Sequence, residues 1–226
     1  MDIDFYRVLY GFLIHIVLYY GIGLLFLLFD YRQRKTFTAK WLAYKNNLYN
    51  ECSSGELLCR IILSLCLNEI TTFLFTCLMY PIFVWNVGEE NMMTHIYPKY
   101  GLVQTIIGII LCEDILFYTI HRLLHTRYLY RFHRKHHEFI RPFALTAIYS
   151  SPVEHVFSNL LPIFCSSLIM SLNWWHLQIF MIIATINTLF AHSGYKISQF
   201  HYKHHIYFSF NYGVLGMMDK IFGTYK

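Results

Sequence analysis

An all-α integral membrane protein that presents a histidine-rich site for two metal ions is the fold this sequence predicts. Three observations predict it. The 226-residue chain is 56% apolar and has a mean hydropathy of +0.40, which belongs to the membrane class rather than the soluble one. Its apolar residues gather in runs of spanning length, roughly 20 residues or more. Outside those runs stand three short histidine boxes, HRLLH, HRKHH and HYKHH.

The first run, Val8 to Phe29, is long enough to span and is followed by no small-residue cleavage site, so a span is expected rather than a signal peptide. Arg32, Arg34, Lys35, Lys40 and Lys45 come next and place this loop on the cytosolic side. A second run, from about Leu57 to Val87, is too long for one straight crossing. Pro81 is expected to kink or end it. The connection from Gly88 to Tyr100 sets Glu89 and Glu90 against Lys99 alone, which fits the lumenal side. Gly101 to Ile120 forms the third span and leads straight into the first box.

Three crossings return the chain to the cytosolic side, where it meets Arg122, Arg127, Arg131, Arg134, Lys135 and Arg141. Residues 153–191 are apolar again and must cross an even number of times, or dip and return, if the third box is to join the first two. A tight helical hairpin is expected, with its turn at Asn173 and the Trp174–Trp175 pair. Lys196, Lys203, Lys220 and Lys226 keep the tail cytosolic. No linker divides the chain, so residues 1–226 read as one membrane domain: N-terminal spans over 1–111, then 112–226 with all the boxes.

The net charge of +5 is spread between apolar spans and carries no nucleic-acid signature, so it reads as membrane-surface charge. The six cysteines form no CxxC pair and mostly lie in apolar runs, as buried thiols of a reducing compartment do. The boxes are different. Solvated basic loops use Lys and Arg and have no need of a repeated HxxHH. In helical register His121 and His125 lie one turn apart on one face, and each HxxHH offers such a pair with an adjacent histidine free for a second ion. All-imidazole sets suit iron, zinc or copper. HxxxH is not the zinc protease motif, since Arg122 stands where that motif needs a glutamate. His15, His95 and His176 stand alone and read as packed or interfacial side chains. Glu113 and Asp114 sit in an apolar span, where ionisable groups face the protein interior. Asp114 falls on the His121/His125 face, as either a hydrogen-bond acceptor orienting a ligand ring or a partner for Arg122.

The run EDILFYTIHRLLHTRYLYRFHRKHHEFIRPFALTAIYSSPVEH, with HSGY, HYKHH and DKIFGTYK after it, resembles the fatty acid hydroxylase and sterol desaturase superfamily of membrane di-iron enzymes. The likeness covers about residues 112–226. Its middle is most like C4-methylsterol oxidase and cholesterol 25-hydroxylase, and its tail is at least as close to sterol C5-desaturase. The resemblance implies metal ligands at His121, His125, His133, His136, His137, His201, His204 and His205, and a further one at His192 of HSGY. It implies a bundle of about four transmembrane helices under a cytosolic, helix-rich cap that holds two iron ions, with zinc able to replace them in purified protein. It also implies an endoplasmic reticulum location, dioxygen, a sterol or other lipid substrate, and electrons from cytochrome b5 and its NADH-dependent reductase. Three departures stand out: Ser151 where relatives often carry histidine, Met218 where they often carry tryptophan, and a Ser193–Phe200 segment shorter than in sterol oxidases, whose shortness bears on substrate more than on metal.

Hydroxylation of a sterol, as in C4-methyl oxidation, is the leading expectation. A C5-desaturase or a fatty acid or sphingolipid hydroxylase could use the same scaffold. Two further classes remain: a non-catalytic metal or haem carrier, and a zinc hydrolase with Glu138 as its base.

Overall fold

The computed structural model describes residues 2–33, 54–91, 101–195 and 199–226. Arg34, Lys35, Lys40, Lys45, Cys52, His95, Lys99 and Lys196 lie outside the described residues. Every regular element among the described residues is helical. Four helices are long and apolar enough to cross a membrane, which makes this a multi-pass membrane protein: α1 (Asp2–Arg32), α2 (Ser54–Val87), α3 (Leu102–Leu124) and α7 (Trp174–Ser193). Between α3 and α7 come α4 (Tyr130–His133), α5 (Pro152–Glu154), a π-helical turn (His155–Leu160) and α6 (Leu161–Ile169). After α7 come α8 (Gln199–Tyr207) and α9 (Met217–Ile221).

Large apolar side chains such as Val17, Leu24, Leu63, Leu74 and Ile183 point outward from the spans, as a lipid solvent allows. The helices meet in two apolar clusters at opposite ends. Val8, Tyr80, Phe83, Ile109, Leu172 and Trp174 fill the end away from the histidines. Tyr19, Leu57, Ile61 and Leu65 pack against Phe139, Phe143, Ile148 and Tyr149 under the cap. Within that second cluster the hydroxyl of Tyr19 donates to the Leu145 carbonyl (3.0 Å), and the Asn68 amide donates to the Ile148 carbonyl (2.7 Å). Two spans thereby pin the segment that follows the second box. A Cβ on Gly23 would collide with Leu145, so α1 can approach the cap this closely only with glycine there.

Pro81 neither ends nor splits the second span: α2 runs unbroken through it to Val87. Proline removes one backbone donor, and a transmembrane helix tolerates that loss when its neighbours support it. A helix of 34 residues is about 51 Å long and exceeds the ~30 Å hydrocarbon layer. Its first turns therefore rise beyond the bilayer, which is where Leu57 and Ile61 support the cap. The expected hairpin over residues 153–191 is present. Asn173 caps α7 by accepting from the backbone N–H of His176 (3.0 Å), and its side-chain oxygen also meets the His176 ring (2.6 Å). Gly194, at φ 77°, ends α7 in a left-handed turn that L side chains resist. Cys59 and Cys66 are free and exposed, and Cys77, Cys112 and Cys165 are free and half-buried, so none of these thiols is buried as expected; a lipid solvent accepts them on the outer faces of apolar helices.

Candidate metal centre

All nine sequence-nominated histidines meet at one end of the bundle, in two groups. His121, His125, His133, His137 and His204 form one. His136, His192, His201 and His205 form the other. Helical register explains the division: the i and i+4 members of each HxxHH join one group, and the histidine between them turns to the other. Thus His133 and His137 sit with the first group while His136 joins the second, and His201 and His205 sit with the second while His204 joins the first. His121 closes the last turn of α3 and His125 caps it.

The ring nitrogens face one another across short gaps. His121 Nε2 is 3.1 Å from His133 Nε2, His137 Nε2 is 2.9 Å from His133 Nε2, and His204 Nε2 is 3.1 Å from His137 Nε2. In the second group His136 Nε2 is 3.3 Å from His192 Nε2 and 3.4 Å from His201 Nε2. The outer nitrogens decide what these contacts mean. His121 Nδ1 donates to the Tyr212 carbonyl (2.7 Å), and His204 Nδ1 to the Phe210 carbonyl (2.7 Å). His205 Nδ1 donates to the Phe139 carbonyl (3.0 Å), and His192 Nδ1 to the Thr188 carbonyl (2.8 Å). A carbonyl only accepts, so each of these Nδ1 atoms carries the ring proton and each Nε2 is a bare lone pair aimed inward. His205 Nε2 is buried with no hydrogen-bond partner. Converging lone pairs repel one another unless a cation sits among them, so the donor set fits metal. All-imidazole donors fit iron, zinc or copper rather than magnesium or calcium.

Burial, the largest cause, drives His133, His136, His137, His201, His204 and His205 well below the ordinary imidazole range and His125 down to about 2. Neutral rings are the form that binds metal.

Three carboxylates support the centre, and Asp114, the one the sequence singled out, does so indirectly. Asp114 does not touch a ligand ring. Its oxygens accept the backbone N–H groups of Val214 (2.9 Å), Leu215 (2.8 Å) and Met218 (3.0 Å). Asp219 accepts from Tyr212 N (2.8 Å) and Gly213 N (2.7 Å). A Cβ on Gly213 would lie 2.8 Å from an oxygen of each aspartate, so only glycine fits between them. The pair folds the tail into the loop whose Phe210 and Tyr212 carbonyls orient His204 and His121. Asp114 is thus an orienting residue at one remove.

Glu154, to which the sequence reading gave no role, is the carboxylate in direct contact. Its Oε1 lies 2.8 Å from His133 Nδ1 and 3.9 Å from His136 Nδ1, between the two groups. Burial pushes its carboxyl well above the ordinary range. Ser151 holds it there, accepting from Glu154 N (3.2 Å) while donating to the Phe132 carbonyl (2.7 Å). Next along, the buried His155 ring is 2.8 Å from the Thr72 hydroxyl. Glu138, the hydrolase base candidate, instead accepts from the Tyr149 hydroxyl (2.7 Å). His15 is packed, lying 3.2 Å from Thr185 Oγ1.

The fatty acid hydroxylase family matches residues 105–224, just over half of the chain. Fatty acid hydroxylase domain-containing protein 2 of Homo sapiens is 38% identical over 120 residues, covering 50% of this chain and 36% of that protein. Fatty acid hydroxylase ahd1 of Mycosarcoma maydis is 36% identical over 165 residues, covering 70% and 42%. Methylsterol monooxygenase 1 of Gallus gallus is 31% identical over 145 residues, covering 55% and 47%. The chain therefore spans less than half the length of these relatives. No solved structure matches it.

Proposed function

The chain belongs to the fatty acid hydroxylase family, and on that premise we propose that it is a membrane di-iron oxygenase that hydroxylates a sterol or related lipid. One observation carries the reading: nine imidazoles gather into two adjoining groups at the head of an apolar, lipid-facing bundle, and four of them, His121, His192, His204 and His205, aim bare Nε2 atoms inward. Unactivated C–H bonds resist acids, bases and nucleophiles, and two bound iron ions with dioxygen would supply the oxidising chemistry they require. The first group would hold one ion through His121, His125, His133, His137 and His204. The second would hold the other through His136, His192, His201 and His205.

The protein's own share is orientation and exclusion. Carbonyls and Glu154 fix ring tautomers, which raises ligand basicity. Tyr130 and Phe208 pack against His125 and His137 on the outer side and shield the rings from water. His121, His133, His136, His192 and His201 line a cavity that descends between the spans, where a lipid would present its carbon.

Location and electron supply belong to the same proposal. The boxes share a membrane side with the basic 30–56 loop by span parity, and basic loops favour the cytosol. Cytosolic boxes at the endoplasmic reticulum would meet cytochrome b5 and its NADH-dependent reductase. Exposed Arg122, Arg131 and Arg134 beside the centre offer a basic face for such an acidic electron carrier.

Lipid profiling of cells that lack the gene tests the reading. Accumulation of an unoxidised lipid, with its alcohol missing, is expected. An unchanged profile would contradict it, and loss of a double bond with no alcohol missing would replace hydroxylation by desaturation.

A further inference from the structure

The cavity below the histidines is longer than the metal centre requires and is not uniformly apolar. Its upper part is roofed by the histidines, and its lower part continues past His15, Thr72 and Met181, which line both, to Trp174 at the far end of α7. From Trp174 to His192 the wall follows one helix for about 27 Å, close to the ~30 Å thickness of bilayer hydrocarbon.

Polar groups interrupt this passage at mid-depth. Glu113 stands two turns below His121 on α3, and Thr185 stands two turns below His192 on α7, each on the order of 10 Å along its helix axis. Both line the cavity, together with His15 of α1. The His15 ring is clamped edge to edge: Nδ1 is 3.2 Å from Thr185 Oγ1, and Nε2 is 3.4 Å from the buried Glu69 carboxyl of α2. All four spans therefore contribute to one level. The clamp fixes the Thr185 hydroxyl. Glu113 differs, because among the described residues its carboxyl has no hydrogen-bond partner, although it lies in a span and faces the cavity. Ionisable groups at this depth are costly and are retained where they have something to bind.

We propose that Glu113 and Thr185, the latter aligned by His15 and Glu69, form a subsite for a hydroxyl group of an elongated lipid alcohol. The proposal deepens the oxygenase reading and rests on it for the identity of the cavity. A hydroxyl has one donor and two acceptor positions. It donates to a Glu113 oxygen while accepting from Thr185, whereas an ether or ester oxygen leaves Glu113 unmatched. The subsite sets the span of lipid between this hydroxyl and the carbon at the histidines, and the apolar lower cavity takes the remaining tail. Glu113 and Thr185 are specificity-determining residues in this account, and His15 and Glu69 are positioning residues.

Binding to the purified full-length protein in detergent tests it, with two matched pairs of probes: cholesterol against cholest-5-ene, and octadecan-9-ol against octadecane. The wild type is expected to bind at least one alcohol roughly tenfold more tightly than its hydrocarbon, the scale of one buried hydrogen bond. Glu113→Leu and the isosteric Thr185→Val should each cut that preference to about twofold while hydrocarbon is still bound, at least as tightly, because both make the lining more apolar. Hydrocarbon binding is thus the internal check that the variants fold. Equal binding of alcohol and hydrocarbon by the wild type would overturn the proposal, as would a preference that survives both substitutions. Iron content of the same preparations separates the two readings: a metal-free protein that keeps the preference sinks the oxygenase and leaves the subsite standing.

Discussion

The two histidine groups use the same side chain but are held in place by different parts of the chain. Two rings of the first group, His121 and His204, are oriented from the C-terminal loop through the carbonyls of Tyr212 and Phe210, and that loop keeps its shape through Asp114 and Asp219. Two rings of the second, His192 and His205, are oriented by carbonyls close to the bundle: Thr188 one turn away on the same span, and Phe139, which is fixed in the apolar cluster beneath the cap. One group therefore depends on a tail that must fold back over the bundle. The other also takes His201 and His205 from the C-terminal segment, but its orienting carbonyls sit on or directly beneath the bundle. Glu154 lies between them, touching His133 of the first and approaching His136 of the second.

Removing a ligand from either group should have the largest effect. His136→Ala is expected to abolish activity and roughly halve bound iron, since loss of even an outer hydrogen-bond partner costs 10–100-fold in metal affinity. Full iron content in this variant, measured by elemental analysis, would break the division into two groups. Glu154→Gln comes next. It should weaken metal binding about 10–100-fold, with the first group emptied before the second in a chelator titration. Simultaneous loss would show that the two groups are one unit.

Asp114→Asn sharpens the asymmetry further. It keeps the shape but weakens the acceptor for three backbone N–H groups, at a cost of about 1–3 kcal/mol. Thermal unfolding should shift down, and chelation should strip the first group selectively while the second stays filled. Equal sensitivity of both would contradict the separate anchoring.

Acid gives the most general effect, and only in the metal-free protein. Burial holds the folded-state pKa values of His133, His136, His137, His201, His204 and His205 below the unfolded value, about 6.5. Below that pH the unfolded chain binds more protons than the folded one, so stability is present above about pH 6.5 and falls as the pH drops. A melting temperature that rises on acidification from pH 7 to pH 5 would contradict the buried, neutral cluster.

The boxes, their pairing by helical turn and the even parity of the last hairpin were legible because each is a local spacing rule. What the spacing could not reveal is where backbone carbonyls go. Asp114 lies on the right face of α3 for a histidine, yet a loop about a hundred residues later reaches it first. Glu154 hid behind a familiar pattern. Ser151-Pro-Val-Glu154 reads as an ordinary helix start, and its serine does act as the cap while the glutamate turns inward. A carboxylate at the mouth of an apolar run, close in sequence to a histidine box, was the signal available. Pro81 does not end its span because the rule for proline in soluble helices is stricter than the rule inside a bilayer.

The central claim is that nine inward-facing imidazoles form two metal sites, and X-ray absorption combined with iron quantitation on the purified full-length protein tests it most directly. The account predicts about two iron ions per chain, each in a shell dominated by imidazole nitrogen. A single ion, a haem, or a shell rich in sulfur or carboxylate oxygen would contradict it.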